Sequence, residues 1–364
     1  MNMKAILTIN AGSATLKYAL FEVSRMERLM HGNVDGHDIV TVLSDIKKSF
    51  PDIQILGASH RVVHGGLQYS APVLLDKKVF DDLTEIIPLA PLHMKPELEA
   101  MQAVTELDAS LPQVACFDTA FHSTMSRLNR IFAIPREYSD AGILRYGFHG
   151  LSYQYVASKF PEVLGDMASG RVVVAHLGNG SSMCAMRDMK SVGTSMGFTA
   201  LDGLVMGTRC GSIDPGVLLY LMEQKGLSVQ ELSRLLNYES GLLGVSSVSN
   251  DLRELEEMMD NPNVSEAIDL FCHRAACELG KFTMVLGGID ALVFTGGIGQ
   301  HSSTVRGKVL EYLSWLGVVL DDSANLNNSM RISGDSSTLG VYIIPTNEEI
   351  VLAQEAAKLL GVGA

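Results

Sequence analysis

The chain has no Cys-x-x-Cys pair among its five cysteines, Cys116, Cys184, Cys210, Cys272 and Cys277. That spacing argues against a zinc site, and the odd number argues against a disulfide framework. Reduced thiols in a cytoplasmic protein fit better. Positive charge is scarce. Lys and Arg number 28 against 41 Asp and Glu, a net charge of −13. No Lys/Arg-rich block stands out, so neither nucleic acid nor an anionic membrane is an expected partner. An anionic substrate must instead be held by a few local cations. Long apolar runs are lacking too. The longest, residues 284–298, is broken by Asp290 and several glycines and is not a membrane span. The apolar stretch before Asn10 is too short for a signal-peptide core. What remains is a globular composition, 47% hydrophobic and 19% charged over 364 residues, enough for two domains.

The most informative run present is Asn10-Ala11-Gly12-Ser13-Ala14-Thr15-Leu16-Lys17. An apolar strand precedes it and another follows it, at residues 5–9 and 18–21. Gly12 suits a turn where a Cβ would clash. Ser13 and Thr15 offer hydroxyls and Lys17 a charge. Two readings fit, a phosphate cradle or an ordinary hairpin with a polar turn. It is not a P-loop, which needs G-x-x-x-x-G-K-[ST] before a helix.

The same strand–turn–strand pattern returns at residues 171–186, around Leu177-Gly178-Asn179-Gly180-Ser181-Ser182. A third glycine turn, Gly296-Gly297-Ile298-Gly299, ends the strand 291–294 and opens a helical stretch over 302–316. Backbone N–H groups at such a turn suit phosphate or nucleoside. Helical patterns lie at 153–159, 214–225 and 268–286, and 249–259 reads as a loop entering a helix. Two similar halves predict a duplicated α/β fold with a cleft between them. The predicted domains are 1–120 plus 349–364, and 121–348. In the last helix Thr346 and Glu349 fit a capping box, Gly361 fits the C-terminal cap, and Glu348 lies in the first turn, where a carboxylate is favoured.

Five polar clusters interrupt the apolar pattern. Arg61, in Ser59-His60-Arg61-Val62-Val63-His64, is either a bidentate anion clamp or a surface salt bridge. Ala90-Pro91-Leu92-His93 reads as a turn before a helix starting near Pro96. Asp118 follows the strand end 113–115, where ligands of α/β sheets bind. His149 lies among Arg145-Tyr146-Gly147-Phe148-His149-Gly150. The stretch 193–215 is glycine-rich and carries Arg209. Together these provide phosphate turns, two candidate arginine clamps and histidines without metal spacing, an inventory that suits phosphoryl transfer.

These nine motifs in order (10–17, 60–66, 91–93, 117–122, 145–150, 176–182, 194–215, 294–299 and 345–349) resemble the acetate kinase family, of the acetate and sugar kinase/heat-shock 70/actin superfamily. The resemblance implies duplicated ribonuclease H-like (actin-like ATPase) domains facing a central cleft. It implies Mg²⁺-dependent transfer of phosphoryl from ATP to a short-chain carboxylate, and the reverse, with ADP as the other nucleotide and Mn²⁺ as an alternative ion. It implies Asn10 and Glu348 at the metal, and Arg61, Asp118, His149 and Arg209 in catalysis. Val63, Leu92, His93, Phe148 and Ala200 fall at the acyl substrate. Nucleotide contacts fall on Ser13, Thr15, Lys17, His176, Leu177, Gly178, Asn179, Gly180, Asp251, Leu252, Arg253, Gly296, Gly297, Ile298, Gly299 and Gln300. A homodimer is implied as well.

The departures are specific. The family's G-G-I-G-E-N is here Gly296-Gly297-Ile298-Gly299-Gln300-His301, and its M-G-F-T-P-L-E-G carries Ala200 in place of proline. Loss of that proline puts strict acetate preference in question. The alternatives are a propionate or butyrate kinase of the same fold and a non-catalytic nucleotide-binding regulator.

Overall fold

A computed structural model describes residues 3–12, 15–36 and 38–363. Ser13 lies outside them. The described chain divides into two compact units. One comprises Met1–Ser123, Phe148–Tyr155 and Asn347–Ala364; the other comprises Thr124–Gly147 and Val156–Thr346.

In the first unit β1 (Lys4–Ala11) is buried along nearly its whole length. That follows from its unbroken apolar run, since a strand covered on both faces need not alternate. It pairs antiparallel with β2 (Thr15–Glu22), and β2 with β3 (Arg28–Asp35). The Gly12 N–H donates to Thr15 O at 2.8 Å and closes the first turn. On its other side β1 runs parallel to β4 (Gln54–Val62), and β4 to β6 (Gln113–Phe117), with β5 (Val73–Leu74) at the edge. The strand order is β3-β2-β1-β4-β6-β5. Successive side chains of β1 point to opposite faces. Ile6 therefore joins Phe21 and Val114 under Leu352 and Ala356 of the terminal helix Glu348–Leu360. Leu7 and Ile9 join Leu20 under α1 (Ile39–Ser49) and α3 (Pro91–Leu107). Between those helices runs α2 (Lys77–Glu85).

The second unit repeats the order. β7 (Arg171–His176), β8 (Ser182–Arg187) and β9 (Lys190–Thr194) form an antiparallel meander. β10 (Ala291–Thr295) and β11 (Gly340–Ile343) continue it in parallel, giving β11-β10-β7-β8-β9. Helix Pro262–Leu286 buries Phe271, Leu279 and Phe282 against Val173, Ala185 and Phe294. Each large apolar side chain so buried stabilises by about 1.5–3 kcal/mol. The fold class is α/β, as expected from alternating strands and helices.

Three local expectations need correction. The terminal helix is capped by Asn347, whose Oδ1 accepts from the Ile350 N–H at 3.2 Å. The Thr346–Glu349 box is not formed, because Asn is the stronger cap and sits one residue later. Residues 91–93 are not a turn: α3 begins at Pro91 and Pro96 lies inside it. A proline at the first helical position costs no hydrogen bond, and this sets the true start. The third glycine turn is itself helical, Gly296–His301. Ser302 then caps helix Ser303–Glu311 by accepting from the Val305 N–H at 3.0 Å.

Candidate active site

In the first unit the site begins with register. The parallel pairing sets Ile9 of β1 beside His60 of β4, and Arg61 beside Cys116 of β6. Arg61 and Asp118 thus come together at the C-terminal ends of these strands. Arg61 Nε and Nη2 both donate to Asp118 Oδ2, at 3.1 and 2.5 Å, and Nη1 donates to Asn10 Oδ1 at 3.2 Å. The Asp118 side chain is fully buried and that of Arg61 is 19% exposed. Burial works against the Arg61 charge, but Asp118, Glu348 and Glu97 outweigh it and raise its pKa. Arg61 is therefore a fixed cation, already turned into place. Asn10 faces Lys17 across the β1–β2 ladder, so the two share one face. Thr15 begins β2 and is exposed.

Glu348 is the first residue of the terminal helix. Asn10 and Glu348 offer hard oxygen donors that both act on Arg61. Such a donor set fits Mg²⁺, which takes few protein ligands and keeps waters and substrate phosphates. Val63 and Phe148 are buried, while Leu92 is exposed and His93 half-buried on the first turn of α3. Phe148 is fixed at its carbonyl by His122 Nε2 at 2.9 Å, and its ring meets that of His64 edge-on. His149 has φ +58°, a left-handed backbone uncommon outside glycine. Its neighbour Gly150 packs so closely that a Cβ would come within 2.0 Å of Asp118 O. Backbone held this way marks a site over-determined by its surroundings. Burial pushes His60, His64 and His122 down to about 4. They are neutral structural groups.

In the second unit the site is mainly backbone. The Leu177 N–H donates to Thr295 O, and the Ile298 and Gly299 N–H groups donate to Leu177 O at 2.9 and 3.1 Å. That ties the β7 turn to the glycine turn. Gly296 has φ +76°, and a Cβ there would lie 2.5 Å from Leu177 O. A cavity of about 560 Å³ opens beside these turns. Gly178, Asn179, Asp251, Leu252, Arg253, Gly297 and Ile298 line it. Leu177, Gly296 and Gly299 are buried behind it, and His176, Gly180 and Gln300 are not among its walls. Arg253 forks onto Asp251 through Nε at 3.0 Å and Nη2 at 2.5 Å. Asn250, Glu256, His301 and Ser302 also line the cavity, and sequence reasoning did not single them out as nucleotide contacts. Ser302 donates to Glu256 Oε1 at 2.6 Å, a contact 46 residues long that no local signal marks. The fully buried Arg306 fastens the glycine turn from behind, donating to Gly299 O and Gln300 O.

Arg209 lies in the loop after β9, where Nη1 donates to Ala200 O at 2.9 Å. Arg145 secures that loop through Ser195 O and Met196 O and pairs with Asp202 at 3.2 Å. A larger cavity, about 680 Å³ around Ser303, Lys308 and Asn325, holds none of the expected site residues.

The Acetokinase family model matches residues 36–354. The chain belongs to the acetokinase family. It is 44% identical to an acetate kinase of Rhodopseudomonas palustris, over 98% of this chain and 99% of that protein. It is also 44% identical to an acetate kinase of Methylocella silvestris, with 98% of each covered. Among solved structures, a propionate kinase from Francisella tularensis shares 36% identity at TM-score 0.90, covering 97% of this chain and 99% of that one. The Porphyromonas gingivalis acetate kinase shares 34% at TM-score 0.89, covering 98% and 100%. This acetokinase-family chain therefore matches its relatives over nearly their full length.

Proposed function

We propose that this chain transfers the γ-phosphoryl group of ATP to acetate, giving acetyl phosphate and ADP, and catalyses the reverse. The observation that carries this reading is the Arg61 fork, held on Asp118 and Asn10 at the C-terminal ends of the first sheet's central parallel strands. A transferred phosphoryl spreads charge over its equatorial oxygens, and fixed cations stabilise it without reorganising. Arg61, Arg209, Lys17 and His149 supply that charge and hydrogen bonding. The acceptor needs no general base, since a carboxylic acid with pKa near 4 is ionised at neutral pH. Asp118 therefore orients Arg61. Transfer is direct and in line, without a phosphoenzyme. Asn10 and Glu348 would hold a divalent ion, which neutralises phosphate charge when bound.

The turns around Leu177 and Gly296 bind the nucleotide, with its nucleoside in the 560 Å³ cavity. The enzyme acts in the cytoplasm, in keeping with its reduced cysteines. It works as a homodimer: helix Pro215–Lys225 has no buried residue and exposes Leu219 and Tyr220 by more than half. Such a face calls for cover. Propionate is the second reading, favoured by Ala200 and by the similarity to a propionate kinase. The test is acyl phosphate formation from ATP with acetate, propionate and butyrate in turn. Turnover with none of them, together with nucleotide binding, would mean a regulator instead.

A further inference from the structure

Glu97 is a carboxyl that the mechanism above does not use. It lies on α3 and is 2% exposed. Both its oxygens accept from the Val63 N–H, at 3.2 and 3.0 Å. Val63 directly follows β4 and stands two residues from Arg61. The same strand end is gripped from the other side by Asp118, whose N–H donates to Val62 O at 2.9 Å and whose carboxylate takes the Arg61 fork. The Gly65 N–H donates to Thr119 Oγ1 at 3.1 Å and extends that grip. Two buried carboxyls therefore fix the segment that presents Arg61.

Their charges cannot be equivalent. Asp118, Glu348 and Glu97 all act on the single Arg61 charge. With all ionised, the cluster would repel an anionic substrate. Burial pushes Glu97 up to about 8, a rise that Asp118 supports and that Arg61 and the Val63 N–H oppose. Other ionisable groups lie on the surrounding elements, among them the exposed Glu85 of α2 and Glu106 of α3. His60 of β4 is bound to Gln113, and burial keeps it and His64 neutral. On α2, Lys77 pairs with Asp81 and Lys78 with Asp82. Lys4 of β1 and Lys47 and Lys48 of α1 are exposed, while Asp45 is half-buried beside Tyr18. On α3 itself His93 lies one turn before Glu97, and Lys95 and Glu99 are exposed.

We propose that Glu97 is a positioning residue: uncharged, it holds the Arg61 strand end and leaves the site receptive to an anionic carboxylate, and ionised, it repels that substrate. This rests on the carboxylate kinase reading above. The test compares KM for acetate and kcat in the wild type and Glu97→Gln between about pH 6 and pH 9. Gln keeps an acceptor for the Val63 N–H and never ionises. The wild-type KM should rise about 6- to 30-fold toward alkaline pH, as expected for one added charge roughly 8 Å away at an effective dielectric of about 20–40. kcat should change less, and the KM of Glu97→Gln should follow a flatter course. All other titrations, including those of ATP, are common to both proteins. An equal rise in both would overturn the proposal. Infrared spectroscopy gives a readout apart from activity. The unliganded wild type should show a protonated-carboxyl C=O band at neutral pH that fades through about pH 8. Its absence would also overturn the proposal, even if the variant failed to fold. A wild type that shows the band but phosphorylates no carboxylate would refute the functional reading alone.

Discussion

The two units share one strand plan and build different sites on it. In each, an antiparallel meander of three strands leads into parallel strands, β3-β2-β1-β4-β6 in one and β9-β8-β7-β10-β11 in the other. β4 and β10 hold the same place in that order. β4 delivers Arg61 onto a buried Asp118. β10 ends in Thr295 and the left-handed Gly296, and the adjoining turns interlock through main-chain bonds. One copy of the plan thus presents side-chain charge and the other presents backbone. A fold positions a strand end, and the residues placed there decide the chemistry.

The strongest way to break this contrast is to remove charge from the first unit. Arg61→Ala should lower acyl phosphate formation by about 10²–10³, the usual cost of one preorganised donor. It also leaves Asp118 buried without its partner cation, which typically destabilises by about 3–5 kcal/mol. Arg61→Lys separates the two effects. Lys restores charge but not the planar fork, so stability should recover further than turnover. Arg209→Ala should lose a similar factor in rate. Equal recovery of turnover and of melting temperature in Arg61→Lys would refute the distinction between charge and geometry.

Backbone is the target in the second unit. Gly296→Ala must adopt a left-handed φ, at roughly 1–2 kcal/mol, and its Cβ would meet Leu177 O. KM for ATP should rise about tenfold or more on that strain alone, while KM for acetate stays nearly constant. A change confined to acetate would mean that this turn serves the acyl group.

Acid and alkali should read the first unit differently. His60, His64 and His122 are held near 4 in the folded chain against an ordinary 6.5. The unfolded chain therefore binds more protons between those values, and stability falls as pH drops through that window. Glu97 has the opposite sign. Its folded value of about 8 lies above the ordinary 4.5, so the folded chain binds the extra proton and stability is lost as pH rises from about 4.5 through 8. Thermal unfolding across this range should show both limbs. Glu97→Gln should flatten only the alkaline one, and an unchanged alkaline limb would remove Glu97 as its source.

What was legible in the sequence follows the range of the interactions. The hairpins around Gly12 and Gly178 were readable because turn chemistry is local. So was the Gly361 cap, which has φ +63°. The terminal cap was misplaced by one residue because Thr346 and Asn347 both qualify, and only tertiary context chose Asn347. Glu97 was not legible. A Glu between Pro96 and Leu98 reads as an ordinary solvent-facing helix residue. Its role comes from a backbone N–H 34 residues away. The cavity wall at Glu256 and Ser302 is hidden for the same reason.

The smallest expected effect concerns the proposed preference among acyl groups. Ala200 stands at the proline position of the family motif that this loop resembles, and its carbonyl accepts from Arg209 Nη1 at 2.9 Å. A proline there would keep that carbonyl and add ring bulk. One methylene in an apolar pocket is worth about 1–3 kcal/mol when it fits. Ala200→Pro should therefore lower kcat/KM for propionate relative to acetate by about 10- to 200-fold on that scale. Acetate turnover should change far less, because in the proposed function the arginines recognise its carboxylate. Fixing φ at the proline value also stiffens the loop that carries Arg209. A loss of both substrates in equal proportion would trace to that stiffening and leave chain-length preference to residues such as Val63 and Phe148.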